Sequence, residues 1–425
     1  MIHRLHLLNF KNLRNVSLDI GPLTILVGTN ASGKSNLRDA FRFLHGMSRG
    51  YTLAEIIGEK YVEGGALQWK GIRGGTREVV CSGENTFTVE TALPIVFRSG
   101  HRIRHGYQHR IRVKVGLSSR KPRVISESLW RRGKMVYDSH PDDDSPKQEG
   151  SGYLFVRLPR GGDNRKHGKR IRFISDRPVI SQFVENTEVP AAQKRDAKHV
   201  LSELGSMRFL DLSPAAMKRP SLPGQVVLGD RGENLSSVLQ AICEDESTKR
   251  AITEWISELT PLDVADFEFV PDQTGKVLVT LKEGNGQRTS AHSASDGTLR
   301  FLAMIAAMLG PDAAEFYFLE ELDNGIHPTR LHLLLQLIEQ SAKQGKVQVV
   351  ATSHSPQLLA MLSEDALEHA SLVYRLEDAC DGHIRRILDI PEARDVLETR
   401  NLARLHESGW LEDAVAFLDA EEVDA

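Results

Sequence analysis

The sequence predicts an α/β fold, a mixed sheet carrying a phosphate-loop head with an inserted basic β-rich region and a helical lobe. Three observations carry that prediction. A strand, a glycine-rich loop and a helix follow one another over residues 23–45, short apolar runs alternate with amphipathic segments after Pro261, and the composition turns basic and β-like from Arg98 to Arg172. Strands of the buried type alternating with helices point to parallel strands covered on both faces, whereas half-polar strands in series point to antiparallel sheet.

Taken in order, residues 2–27 read as three short strands, Ile2 to Leu8, Val16 to Ile20 and Leu23 to Val27, turned at Lys11-Asn12-Leu13-Arg14 and at Gly21-Pro22. The third runs into Gly28-Thr-Asn-Ala-Ser-Gly-Lys-Ser35, which fits G-x-x-x-x-G-K-S, and Asn36 to His45 is amphipathic. Glycines at 28 and 33 let backbone N–H groups curl around a polyphosphate, and the helix that follows offers its free N–H groups to the same anion. In such a cradle Lys34 reaches the β- and γ-phosphates and the Ser35 hydroxyl holds Mg²⁺, with Asn30 and Asn36 in the nucleotide-binding set. ATP and Mg²⁺ are the expected ligands.

Runs such as Arg77 to Val80 and Thr86 to Val89 predict further antiparallel strands. From Arg98 to Arg172 about 20 Lys and Arg face about 7 Asp and Glu, an excess that the whole-chain charge of -3 conceals. Arg110, Arg112 and Lys114 alternate with Ile111, Val113 and Val115, so one face of that strand is expected to be basic and the other buried. The basic face is either a surface for nucleic acid or an acidic partner, or an ordinary solvated strand face with basic loops. The acidic loop from Asp142 interrupts the stretch, Arg120 lies within it, and Arg165, Lys166, Lys169, Arg170 and Arg172 close it.

Apolar residues at three- and four-residue steps predict helices over Ala197 to Leu210, Asn234 to Cys243 and Ser247 to Leu259. No heptad pattern persists, so long coiled-coil arms are not expected. After Pro261 come strands at Phe267 to Val270 and Lys276 to Leu281, an apolar helix from Phe301 to Leu309, and buried-type strands at Phe316 to Leu319 and Val347 to Ala351. The expected division is 1–97 and 261–425 for the two parts of one head, with 98–175 as the basic insertion, 176–260 as the helical lobe and an acidic helical tail.

Phe316-Tyr-Phe-Leu-Glu-Glu321 places two carboxylates at the carboxyl end of a buried strand, where open α/β sheets bind their ligands. Glu320 is assigned to Mg²⁺ and Glu321 to the attacking water. Leu322 to His327 turns tightly into a helix whose first residue is Pro328, a turn well placed to meet a second subunit. Val349-Val-Ala-Thr-Ser-His354 ends a strand on a histidine that can bond the γ-phosphate or the water, although a lone histidine is more often structural.

With 425 residues and 40% apolar content the chain can build packed cores, and its three cysteines lack metal-ligand spacing. The N-terminus is patterned as a strand rather than a signal peptide, and no apolar run approaches membrane-spanning length. The reading is a cytoplasmic protein with reduced thiols.

Five motifs in order, Gly28 to Ser35, Ser293-Ala-Ser-Asp-Gly-Thr298, Phe316 to Glu321, Asp323 to Pro328 and Thr352 to His354, resemble those of ABC-type ATPases, over somewhat under half of the chain. The segments "NFKNLRNVSLDI", "SDGTLRF" and "NGIHP" look like the cytosolic branch of RecF, OLD-family and SMC-like proteins. The resemblance implies a homodimer with two ATP molecules between subunits, in which Ser295, Asp296, Gly297 and Thr298 contact the γ-phosphate bound by the partner. Glu320 stands where many relatives have Asp, and Gln68 is the candidate for the family's glutamine loop. Many compact relatives act in DNA repair or phage defence, often beside a separate Toprim-type nuclease, and no nuclease pattern follows Pro356 here. A dimeric ATP switch that engages DNA or a nuclease partner is therefore the leading reading, against a nucleotide-gated scaffold with little turnover or a transporter's ATPase subunit.

Overall fold

The computed structural model describes residues 1–99, 102–118, 121–139, 152–159, 168–259, 263–376, 380–390 and 393. The loop at 142–151, the cations Arg120, Arg165 and Lys166, and the tail after 393 lie outside them. Contacts divide the chain into two units, one of residues 1–21, 29–207 and 373–385, the other of 22–28, 208–372 and 386–425.

Strands β1 (Arg4–Phe10) and β2 (Leu13–Asp19) form the expected hairpin, and β3 (Leu23–Val27) is buried along its whole length. Helix α1 (Lys34–Ser48) buries Leu37, Phe41 and Leu44 at helical spacing. A capping box between Thr52 and Glu55 starts α2 (Leu53–Ile57), and β4 (Lys60–Tyr61) with β5 (Leu67–Trp69) makes a small hairpin. Where the sequence predicts a strand from Arg77 to Val80, the chain forms the single turn α3 (Gly75–Glu78). Gly74 and Gly75, at φ of 74° and 54°, turn it there, and only Val80 of that run pairs, with Phe10.

The basic region is sheet, as read. β6 (Thr86–Ser99), β7 (Arg102–Ser118), β8 (Lys121–Arg131), β9 (Lys134–Asp138), β10 (Tyr153–Pro159) and β11 (Gly168–Ile174) join β1 and β2 in an eight-stranded sheet ordered β11-β10-β9-β8-β7-β6-β1-β2. Ile111, Val113 and Val115 are fully buried while Arg110 and Arg112 are exposed. On the buried face Phe87 meets Phe10 and Phe43 edge-on, each at 5.4 Å. Helices α4 (Val179–Phe183) and α5 (Ala191–Gly205) belong to this unit, with Tyr137 and Phe183 rings 4.6 Å apart. Buried Glu127 accepts from the Tyr137 hydroxyl at 2.6 Å and from the Val179 and Ile180 amides at 2.7 Å. Desolvation outweighs those three donors and raises its pKa to about 7.

The helix expected over Ala197 to Leu210 ends early. Its last residues, Met207-Arg-Phe-Leu210, form strand β12 (Met207–Leu210), because Gly205-Ser206 closes α5 and a short segment that buries Met207, Phe209 and Leu210 then joins a sheet edge. Then come α6 (Pro214–Met217), α7 (Leu235–Ile242), α8 (Glu246–Leu259) and the antiparallel trio β13 (Val264–Pro271), β14 (Val277–Glu283) and β15 (Arg288–Ser290). The next elements alternate as read: α9 (Asp296–Leu309), β16 (Phe316–Leu319), α10 (Pro328–Lys343) and β17 (Gln348–Ser353). The chain then adds α11 (Glu364–Leu367) and two strands that the sequence does not predict, β18 (Ser371–Arg375) and β19 (Gly382–Arg386). The second sheet is ordered β12-β16-β17-β3-β18-β19, and its pairs β16–β17, β17–β3 and β3–β18 are parallel. The longest helix among the described residues has 16 residues, far short of a coiled-coil arm.

Candidate functional site

Three neighbouring parallel strands end at one edge of the second sheet. Leu319 pairs with Ala351, Ala351 with Ile25, and Ser353 with Val27. One step beyond these pairs stand Glu320 after β16, His354 after β17 and Gly28 after β3, with Glu321 one residue past Glu320. All three strands are buried on both faces, so polar chemistry can collect only at their ends.

The loop that leaves Gly28 has the backbone of an anion cradle. Gly28 and Gly33 hold φ of 150° and 125°, and Ala31 takes a left-handed 64°. A side chain at 33 would also press on Asn12 and Leu13, at 3.2 and 3.3 Å. Lys34, only 5% exposed, folds back so that Nζ donates to the Thr29 carbonyl at 2.8 Å, while Ser35 is half-buried and Asn30 exposed. No side chain caps α1 and no acid lies in its first turn, which leaves its amide end open to an anion.

A ring of residues outside the motif braces the loop, and the sequence shows it only as a turn. Asn12 accepts from Asn36 Nδ2 at 2.6 Å and donates to the Ser32 carbonyl at 3.4 Å. Asp39, fully buried, meets Lys11 at 2.6 Å, Arg73 at 3.2 Å and Arg38 at 3.6 Å. A buried carboxylate needs such partners. Since Lys11 and Arg73 are far apart in sequence, no local pattern announces the cluster.

At the other end of the motif series, Glu321 has φ of 50°, a conformation that costs a non-glycine residue on the order of 1 kcal/mol. Its N–H donates to Thr352 Oγ1 at 3.0 Å and the next amide, of Leu322, to the Thr352 carbonyl at 3.0 Å, so strand β17 holds the bend. Asn324 Nδ2 donates to Glu321 Oε2 at 2.7 Å, and His354 Nε2 lies 3.9 Å from Oε1. Both side chains are open to solvent, at 48% and 40%. Glu320 is half-buried, and its amide donates to the Leu210 carbonyl at 3.0 Å.

Ser295 caps α9, accepting from the Thr298 amide at 3.2 Å, and Asp296 pairs with Lys218 at 2.9 Å. Gly297 lies against the turn after the carboxylates: a Cβ there would stand 2.3 Å from the Gly325 carbonyl oxygen. Only glycine allows that approach. Ser295 itself is exposed.

These groups fit a magnesium nucleotide. The buried Ser32 Oγ has no hydrogen-bond partner, the α1 amide end is uncapped, and Lys34 places an ammonium in the loop. No cluster of three or more His, Cys, Asp or Glu that could hold a metal occurs among the described residues. Gln68 sits on the short exposed strand β5. No helix among the described residues is long and apolar enough to cross a membrane.

Comparison with known proteins follows the same line. A protein of Helicobacter pylori (strain ATCC 700392 / 26695) named ATP/GTP phosphatase is 21% identical over 380 residues, covering 86% of this chain and 88% of that one. Among solved structures, an SMC head bound to the C-winged helix domain of ScpA is similar at a TM-score of 0.49 and 14% identity, over 90% of this chain and 96% of that one. The SMC head domain from Thermotoga maritima is similar at 0.40 and 13%, over 91% and 98%. A family model described as "AAA domain, putative AbiEii toxin, Type IV TA system" matches residues 23–360. The chain belongs to that family and is a P-loop ATPase.

Proposed function

We propose that this protein is a dimeric switch closed by MgATP and reopened by hydrolysis to ADP and phosphate, and that it engages nucleic acid through its basic sheet. The observation that carries the reading is the alignment of Gly28, Glu320, Glu321 and His354 at the ends of three adjacent parallel strands. Lys34 and the α1 amides bind the β- and γ-phosphates; Ser35 and Glu320 would hold Mg²⁺, which would supply charge stabilisation at the phosphate oxygens. Glu321, pinned by Thr352 and Asn324, orients the attacking water and takes its proton, and His354 bonds the γ-phosphate or that water. Ser295 and the start of α9, exposed in one subunit, complete the partner's pocket, so turnover depends on association.

The relative's name, ATP/GTP phosphatase, supports hydrolysis, and the family's description as a toxin supports an effector role such as anti-phage defence rather than transport. DNA repair with a separate nuclease partner is the related assignment that the motif resemblance supports. Glu321→Gln is expected to bind ATP without cleaving it and to accumulate as a dimer. Light scattering at saturating MgATP checks this, and a variant that stays monomeric removes the switch.

A further inference from the structure

Cross-strand pairing in the eight-stranded sheet gathers aromatic rings and cations that are scattered in sequence. Paired residues share a face, so the basic face of β7 continues through Arg110–Trp130, Arg112–Ser128 and Ser128–Asp138 to Asp138–Arg157. It ends on β10 and β11, where Phe155 pairs with Arg172 and Tyr153 with Ile174. Tyr153 and Phe155 are 45% and 41% exposed, large rings left in water on a strand that buries every alternate residue. The Arg172 guanidinium stacks over Tyr153 at 4.5 Å.

The charge on this end of the face favours a polyanion. On this face β10 and β11 carry Arg157, Arg170 and Arg172 and no acid, while Lys169, paired with Leu158, falls on the other. The acids nearby are Asp138 opposite Arg157, Glu188 paired with Lys169, Asp176 beside Arg177 at 3.4 Å and, further along, Glu90 beside Arg110 and Arg112. A cavity of about 780 Å³ opens at the same end, sharing Tyr153 and Arg172 with the face and adding Arg49, Arg177, Gln182 and Asn186, beside the acid Glu185. That volume lies in the range of small-ligand pockets and holds a nucleotide. A peptide adding as a strand is disfavoured, because the Gln182 amide already takes the Ile174 N–H at 3.1 Å and its carbonyl at 2.8 Å.

We propose that the β10–β11 end of this sheet is a single-stranded nucleic-acid platform. Bases stack on Tyr153 and Phe155, Arg170 and Arg172 contact the phosphates, and one nucleotide enters the cavity between Arg49 and Arg177. Rings that offer a flat face to any base, set among cations, bind single strands without reading sequence, whereas a duplex hides its base faces. This rests on the nucleic-acid reading above and narrows it to single strands.

The test is fluorescence anisotropy of the full chain with a labelled oligo-dT of about 20 nucleotides, long enough to span such a site. A duplex of equal length and polyglutamate serve as competitors. The Tyr153→Ala/Phe155→Ala variant is expected to lose about tenfold in affinity per ring with an unchanged salt slope, and Tyr153→Phe to keep affinity. Arg170→Ala/Arg172→Ala is expected to flatten the slope of log K against log salt by about 1.4. Tighter binding to duplex, equal competition by polyglutamate, or ring variants that bind like the parent each overturn the platform. ATP turnover and the Glu321→Gln dimer are measured alongside. Intact values with no oligonucleotide binding remove the platform alone, and lost dimerisation with intact binding removes the switch alone.

Discussion

The two large sheets handle polar chemistry in opposite ways. The parallel strands β3, β16 and β17 are buried from end to end and release their charged residues only at their carboxyl ends. The antiparallel sheet has one solvated face and spreads cations along it, Arg110, Arg112 and Lys114 on β7 and Arg170 and Arg172 on β11. A sheet buried on both faces concentrates function into a few atoms at a rim, and a half-solvated sheet distributes it. Substitutions at the rim should therefore act steeply and those on the face in graded steps.

The steepest effect is expected from Glu321→Gln, a loss of about 10² to 10⁴ in ATP turnover with nucleotide binding kept, measured by phosphate release and equilibrium binding. Lys34→Ala should lower turnover by about 10² to 10³ and weaken nucleotide binding as well, since its ammonium acts on both ground and transition states. If both variants bound ATP equally well, the separation between holding and cleaving groups would be lost.

In the antiparallel unit, pH acts through Glu127. Its folded-state pKa, about 7, lies above the ordinary 4.5, so its contribution is full below about pH 4.5 and lost as pH rises through 7. Denaturant unfolding at pH 5 and pH 8 should show a decline of about 3 kcal/mol at most from this group, missing in Glu127→Gln. Gly297→Ala should cost about 1 to 3 kcal/mol, because the new methyl meets the Gly325 carbonyl; its unfolding midpoint checks this. The mildest change is reversal of charge at Arg110, Arg112 and Lys114. Glu90 lies 3.6 and 3.7 Å from the two arginines, so the salt slope of nucleic-acid binding should flatten by about 2 or less. A steep loss there would contradict a distributed surface.

The rim was legible in sequence and the face only in part, for a physical reason. Strand β16 announces itself because four apolar residues stop at two carboxylates, and the loop from Gly28 because its spacing follows phosphate geometry. Both are local patterns. Asn12 under Ser32, Lys11 and Arg73 around Asp39, and Thr352 holding the bend at Glu321 are contacts between distant segments, which no local pattern encodes. Tyr153 and Phe155 join the face of Arg110 only through strand pairing, which no local pattern in the basic stretch encodes. Met207 to Leu210 reads as a helix end because a short segment with Met207, Phe209 and Leu210 as its apolar residues suits either state, and a vacant sheet edge decided the matter.

The place of β3 has a consequence for how the protein is made. This strand ends at Val27, yet its two neighbours are β17 and β18, which begin far downstream at Gln348 and Ser371. At synthesis rates of about 5 to 20 residues per second, the strand feeding the phosphate loop waits on the order of 15 to 60 s for a partner on either side. During that interval a largely apolar ribbon with two open edges is a target for chaperones, and a nascent chain cannot hold ATP in finished form until both neighbouring strands have been made.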